Sequence, residues 1–390
     1  MQKNKKKMRR NAIYLDYSAT TPVDPLVLKA MLPYLKKEYG NPSSVHSLGQ
    51  LARAAIEQAR ERVAAFLHAS ASEVVFTSGA TEANNLSIQG VIRQAIKPHV
   101  VTSSIEHESV LAPIQELEKE RIIEATYIQP SKDGIVEPKE VARAIRKNTV
   151  LVSIQYANSE IGTVQPIAEI GKLLGSHKVL FHTDAVQAAL YLGCNVEKLG
   201  VDLLTLSSHK IYGPKGAGVL YVKKGVDLRP LCFGGGQEQD IRPGTENVAV
   251  IVGTGQAFQN LQSPRLQVTN IKIRQLRDKL QKDILKRIPD TALTGSQTNR
   301  LPHNIHLQIA GIEGKDAVVL LDQKGIAVST GSACSERSQE PSHVLRALGF
   351  PEKGALSALR ITLGKYTTAE ETRKAVKALL KVVEHLRKTN

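Results

Sequence analysis

Apolar residues fall into two rhythms along this chain. Short runs at residues 74–76, 100–102, 150–154, 179–181, 203–206 and 219–222 each end in small or polar residues and give way to helical spacing. Strands alternating with helices predict βαβ units around a mostly parallel sheet. Ligands bind such sheets beyond the carboxyl ends of the strands, so the polar residues after each run are the candidates for chemistry. From Ser47 onward, Leu51, Ala55, Ala59, Val63 and the pair Phe66 and Leu67 recur at helical spacing and predict a strong helix. Residues 12–15 read as a short strand before it. Near Pro264 the pattern changes to a long amphipathic helix with Ile273, Leu276, Leu280, Ile284 and Ile288 on one face, then shorter segments. A capping box, Thr368 with Glu371, opens a final helix. The expected organisation is a basic tail and N-terminal segment (1–16) joining a small domain, a large α/β domain (17–263) and a small α+β domain (264–390).

Length and composition fit this picture. The 390 residues are 42% apolar and 23% charged, enough for a sizeable core in two or three domains. The formal net charge of +15 looks like a nucleic-acid signal until it is divided. Residues 1–10 carry +6 and residues 264–390 carry +10, leaving −1 for the stretch between. With aromatic residues at only 4%, no stacking platform interleaves with the basic ends, so stable nucleic-acid binding is not expected. No apolar run approaches the roughly 18 residues of a spanning helix, and the basic start has no apolar segment of a secretory signal behind it. A cytoplasmic protein without membrane association is the expectation. Three scattered cysteines, Cys194, Cys232 and Cys334, offer neither a disulfide framework nor a paired metal motif.

Four strand-end constellations carry candidate chemistry. Thr77-Ser78-Gly79-Ala80-Thr81-Glu82 is either an ordinary capped helix start or a phosphate-binding turn, because a helix N-terminus with hydroxyl donors suits an anion. Asp184 follows a buried-looking strand, where it either caps the next helix or faces a ligand. Ser207-Ser208-His209-Lys210 closes another strand ahead of a Gly-rich turn, a setting in which a partly desolvated lysine amine can form a Schiff base. Together these parts make sense as a pyridoxal phosphate site, with Lys210 as the carbonyl partner, Asp184 at the pyridine nitrogen and the helix start at the phosphate. His107, after a further strand, is either the ring expected over the cofactor face or a loop histidine. Finally, Cys334 sits in a run of Gly, Ser and Ala, as an exposed nucleophile would, while Cys194 and Cys232 have ordinary surroundings.

Over nearly its whole length the chain resembles the cysteine desulfurases of the NifS and IscS type, class V aminotransferase-like enzymes of pyridoxal phosphate fold type I. The resemblance rests on Tyr14-Leu15-Asp16-Tyr17-Ser18-Ala19-Thr20-Thr21-Pro22, Gly40-Asn41-Pro42, Glu106-His107, Asn158 with Glu160-Ile161-Gly162, Asp184 with Gln187, His209-Lys210, Gly244-Thr245-Glu246-Asn247, Gly331-Ser332-Ala333-Cys334 and Arg360. It implies a large domain with a seven-stranded type of sheet plus the smaller α+β domain. It further implies that Lys210 holds the cofactor covalently, Asp184 pairs with its ring nitrogen, Gln187 contacts its phenolic oxygen and His107 stacks on the ring and assists proton transfer. Ala80, Thr81, Ser207 and His209 would hold the phosphate, joined by Thr245 from a neighbouring subunit, which implies a homodimer. Asn158, also counted among the cofactor contacts, and Arg360 would bind L-cysteine, with Asn41 near the same pocket. Cys334, on a loop at 329–342, would take the substrate sulfur as a persulfide, leaving L-alanine. An iron–sulfur scaffold or another acceptor, tRNA thiolation among the outlets, would receive the sulfur. No metal is expected.

The departures are few. Ser159 stands where many relatives carry a second Asn, Ser208 where Gly or Ala is frequent and Asp240 where Gly is common, and the basic tail extends beyond the pattern. The competing readings are transamination or selenocysteine lysis on the same scaffold, a non-catalytic sulfur carrier, and a basic nucleic-acid binder.

Overall fold

The computed structural model describes residues 12–93, 97–331 and 341–389. Cys334 and the basic run at 1–10 lie outside them. The first strand, β1 (Ile13–Tyr14), precedes the main sheet in the chain, which comprises β2 (Val74–Thr77), β3 (His99–Ser103), β4 (Glu124–Ile128), β5 (Thr149–Ser153), β6 (Leu180–Asp184), β7 (Leu203–Ser207) and β8 (Gly218–Val222). These seven strands lie in the order β2-β8-β7-β6-β5-β3-β4, as the mostly parallel sheet requires. Only β8 is reversed, running antiparallel to both β2 and β7. The carboxyl ends of the other six therefore share one edge.

Helices cover both faces, so β2, β3, β7 and β8 are buried at every position and read as unbroken apolar runs. β4 escaped the sequence pattern. It is an edge strand paired only with β3, and its sequence Glu-Ala-Thr-Tyr-Ile begins exposed and ends buried. The helix Ser47–Leu67 forms as expected, but its buried stripe is Ala52, Ile56, Ala59, Val63 and Leu67. Leu51, expected on that face, is 46% exposed. The register is set by packing on the helix Val248–Leu261, where a Cβ on Gly255 would lie 2.6 Å from the Ala59 Cα. Two small residues let the helices touch backbone to backbone.

A second apolar core gathers Ile273, Leu280, Ile284 and Ile288 with Leu15, Leu307, Leu359 and Val383, while Leu276 packs at its margin. The helix Pro264–Arg287, the helix Gly314–Gln323 and the helix Ala369–Thr389 surround an antiparallel sheet of β9 (Thr291–Leu293), β10 (Asn304–Ile309) and β12 (Ala358–Thr362). β1 pairs in parallel with β11 (Ile326–Ala327), and Leu15 packs in the second core, which with its helices and sheet is called the second unit below. The last helix carries its capping box: the Thr368 N–H donates to Glu371 Oε2 at 2.7 Å, and the Glu371 N–H donates to Thr368 Oγ1 at 3.2 Å. Among the described residues no helix is long and apolar enough to cross a membrane.

Thr368→Ala removes half of that reciprocal cap and is expected to lower stability by about 1 kcal/mol. Urea unfolding should show a lower midpoint with an unchanged slope; an unchanged midpoint would mean that the exposed cap is replaced by water without loss.

Candidate active site

The shared carboxyl edge opens into a cavity of about 490 Å³. At one end the helix Ala80–Ile92 begins directly after β2, with Gly79 as its N-cap. A Cβ at Gly79 would meet nothing within 4 Å, whereas one at Gly218 of β8 would lie 2.4 Å from the Gly79 carbonyl carbon. Glycine at 218 lets the reversed strand press the helix start forward while leaving the space over Gly79 open. Glu82 steadies the turn by accepting from the Ser78 N–H at 2.6 Å and from Arg242 Nε at 2.9 Å. Ala80, Thr81, Ser207 and His209 all line this end. Burial, with Lys210 and Lys215 adding, pushes the His209 imidazole down to about 4, so it is neutral at physiological pH.

Deeper in, Asp184 ends β6 with its side chain buried. Its Oδ2 accepts from Asn84 Nδ2 at 2.8 Å and its Oδ1 from the Val186 N–H at 3.0 Å. Two fixed dipoles thus orient both of its oxygens. His107 caps the helix Glu108–Lys119, its Nδ1 accepting from the Ser109 N–H at 3.1 Å. That bond leaves the ring proton on Nε2 in the neutral form. Burial pushes the His107 pKa down, and Lys210 adds to this against the pull of Asp184. Lys210 ends a 3-10 turn after β7 and its Nζ donates to the carbonyls of Ser18 and Ala19, the latter at 2.8 Å. Gln187 Nε2 donates to the same Ser18 carbonyl at 3.0 Å.

The opposite wall belongs to Asn158 and Arg360. Asn158 is spent largely on its own loop: Nδ2 donates to the Ile105 carbonyl at 3.0 Å, and Oδ1 accepts from the Glu160 and Ile161 N–H groups at 2.9 Å each. Arg360, from β12, is buried and pairs with Asp16 Oδ1 at 2.8 Å. Its other terminal nitrogen donates to the Ser159 carbonyl at 3.0 Å and to the Gly331 carbonyl, while its buried Nε has no partner. A guanidinium held on three sides with one buried donor free is suited to a carboxylate.

Of the residues singled out from the sequence, Ala80, Thr81, His107, Asn158, Asp184, Gln187, Ser207, His209, Lys210 and Arg360 meet at this cavity. Asn41 and Thr245 do not line it and are exposed on this chain. Cys334 lies outside the described residues, although Gly331 lines the wall. Burial pushes the Cys194 thiol up to about 12, which makes it inert, and Cys232 is exposed. No group of three or more His, Cys, Asp or Glu that could hold a metal ion is found among the described residues. Sequence reasoning gave no role to Glu106, Glu160, Asp16 or His343, which the fold brings to or beside the cavity. The first three lay inside the quoted motifs, and His343 carried no signal at all.

With this geometry in view, the chain can be compared with known proteins. The aminotransferase class-V family profile matches residues 13–374, and the chain belongs to that family. It is 46% identical over 380 residues, 97% of this chain and 96% of the relative, to a protein named cysteine desulfurase IscS of Dictyoglomus turgidum. Among solved structures it superposes on a NifS-like protein with a TM-score of 0.90 at 35% identity, covering 96% of this chain and all of that one. It also resembles a structure described as SspA in complex with cysteine, with a TM-score of 0.81 and 37% identity over 91% of this chain and all of that one. The family's cofactor is pyridoxal 5′-phosphate, and the donor set fits it. A lysine, a buried carboxylate held by dipoles, a neutral imidazole and a helix N-terminus above open space surround one cavity.

Glu106 gives this site a measurable signature. It is 1% exposed, its Oε1 accepts from Ser103 Oγ, and its Oε2 has no partner. Burial raises its carboxyl from 4.5 to about 8, with Asp184 adding. Between those values the folded chain keeps a proton that the unfolded chain has lost, so this group's contribution to stability falls as pH rises. Glu106→Gln is expected to abolish that fall, gaining on wild type from pH 4.5 to about 8 in urea unfolding. Parallel pH curves for the two proteins would show that Glu106 is not held as a neutral acid.

Proposed function

We propose that this chain is a pyridoxal-phosphate-dependent cysteine desulfurase that converts L-cysteine to L-alanine and leaves the sulfur on Cys334. The observation that carries the reading is the meeting of Lys210, Asp184, His107 and Arg360 at one cavity whose wall includes Gly331, three residues before the thiol. Bound there, the cofactor supplies an electron sink that weakens bonds at the substrate's Cα and Cβ. Lys210, whose amine donates to the Ser18 and Ala19 carbonyls, would hold it and could carry protons at the substrate. Asp184 keeps a proton on the ring nitrogen. The neutral His107 offers the hydrogen on Nε2 to a group above the ring. Arg360 grips the substrate carboxylate.

The sulfur leaves by displacement. The Cys334 thiolate attacks the substrate sulfur, an S–S bond forms and the Cβ–S bond breaks. The electron pair of that bond stays with the carbon, which is protonated and departs as alanine. The product side is an enzyme persulfide, balanced against one thiol of the substrate. An iron–sulfur scaffold is its natural acceptor, with tRNA thiolation as a second outlet, and the reading takes the cytoplasm as the compartment.

The reading includes a homodimer. Leu26, Leu35, Val45, Leu48 and Leu51 are exposed on and between the first two helices, Val45 by 88%. Such an apolar surface is an interface in search of a partner, and a second copy would bring its Thr245 to the phosphate end. The division at residue 263 into a large and a small domain is likewise part of this reading, supported by the separate apolar core of the second unit.

Purified wild type given L-cysteine and a reductant is expected to release sulfide and alanine in equal amounts, and Cys334→Ala and Lys210→Ala are expected to release neither. A cofactor-loaded wild type that forms no sulfide would move the function to another reaction of the same scaffold.

A further inference from the structure

The buried Glu160 has no part in the mechanism above, yet it contacts several elements of the site's framework. Its N–H donates to Asn158 Oδ1 at 2.9 Å and its carbonyl accepts from Asn304 Nδ2 at 3.0 Å, so its backbone is fixed on both sides. One carboxylate oxygen, Oε2, accepts from Ser342 Oγ at 2.8 Å. The other, Oε1, makes no hydrogen bond and lies 3.6 Å from Nε2 of the fully buried His306. The side chain also lies flat on Gly331: a Cβ there would come within 2.7 Å of the Glu160 Cγ, and Gly331 has a φ of +134°. No other residue type fits that backbone and that contact together.

Gly331 and Ser342 are the two ends between which the chain carries Cys334. Gly331 is held a second time by Arg360, through its carbonyl. Ser342 caps the helix His343–Ala347 with its hydroxyl, and His343 Nε2 lies 2.9 Å from the Glu106 carbonyl. Three residues of chain reach no further than about 10 Å, so the fixing of Gly331 bounds where the thiol can go. We infer that Glu160, backed by His306, is a positioning residue for sulfur transfer: it seats both ends of the Cys334-bearing segment against the substrate wall. The inference rests on Cys334 being the sulfur acceptor. It adds that the thiol's approach is set by a carboxylate to which the mechanism above assigns no contact with substrate or cofactor.

The test is single-turnover persulfide formation on Cys334, followed by rapid quench, alkylation and mass spectrometry of the holoenzyme with L-cysteine. L-cysteine binding is read separately from the change in cofactor absorbance. Glu160→Ala is expected to slow persulfide formation by at least about tenfold, as a displaced reacting group does, with L-cysteine affinity within about twofold of wild type. Ser342→Ala, which leaves the buried carboxylate in place, should show the same split more weakly, Ser342→Thr should restore the rate, and Glu160→Ala with Ser342→Ala should be no slower than Glu160→Ala alone. Wild-type persulfide rates in both Glu160→Ala and Ser342→Ala would overturn the inference, as would equal losses in rate and affinity. A wild type that forms alanine without any persulfide on Cys334 would instead overturn the acceptor reading, and this inference with it.

Discussion

The stretch from Asp16 to Thr21 is the seam on which the site depends. It leaves β1, crosses the open edge of the main sheet, and is hydrogen-bonded to both units. The Ser18 N–H donates to Thr362 Oγ1 at 3.0 Å, and Ser18 Oγ lies 3.1 Å from His303 Nε2, both in the second unit. On the other side the Thr21 N–H donates to the His209 carbonyl at 3.0 Å, and Thr21 Oγ1 accepts from the Tyr212 N–H at 2.8 Å. Lys210 and Gln187 converge on the Ser18 carbonyl, while Asp16 takes Arg360. A lysine gathered by carbonyls and an arginine gathered by a carboxylate are therefore oriented by the same few residues. Loss of this seam would free both side chains at once.

Charge is placed with the same economy. Asp184 accepts from the Asn84 amide and the Val186 N–H, burial pushes Glu106 toward its neutral form, and both His107 and His209 are pushed toward the uncharged form by burial. Among the described residues, Lys210, Lys215 and Arg360 bring positive charge to the cavity, as suits an anionic cofactor and an anionic substrate. The strand topology makes this possible, because six carboxyl ends share one edge and a single reversed strand brings Gly218 against the helix start.

Most of this was legible in the sequence, for reasons that differ by element. Six sheet strands announce themselves because both of their faces are buried; β4 does not, because an edge strand with one wet face has no unbroken apolar run. The helix Ser47–Leu67 was visible, with Ala59, Val63 and Leu67 on its buried face as expected, but in its first turns Ala52 and Ile56 are buried in place of Leu51 and Ala55. Lys210, Asp184 and the helix start at Ala80 are local features of strand ends, and order along the chain exposes them. Glu160 and Ser342 come together across 182 positions, and no pattern of spacing foretells that bond.

The central claim is that the lysine after β7 is the cofactor's anchor at the seam. The most direct measurement is borohydride reduction of the holoenzyme followed by peptide mapping of the trapped cofactor. The account predicts the label on the peptide bearing Lys210 and its loss in Lys210→Ala. A label on Lys215, or on a lysine outside the cavity, would contradict it.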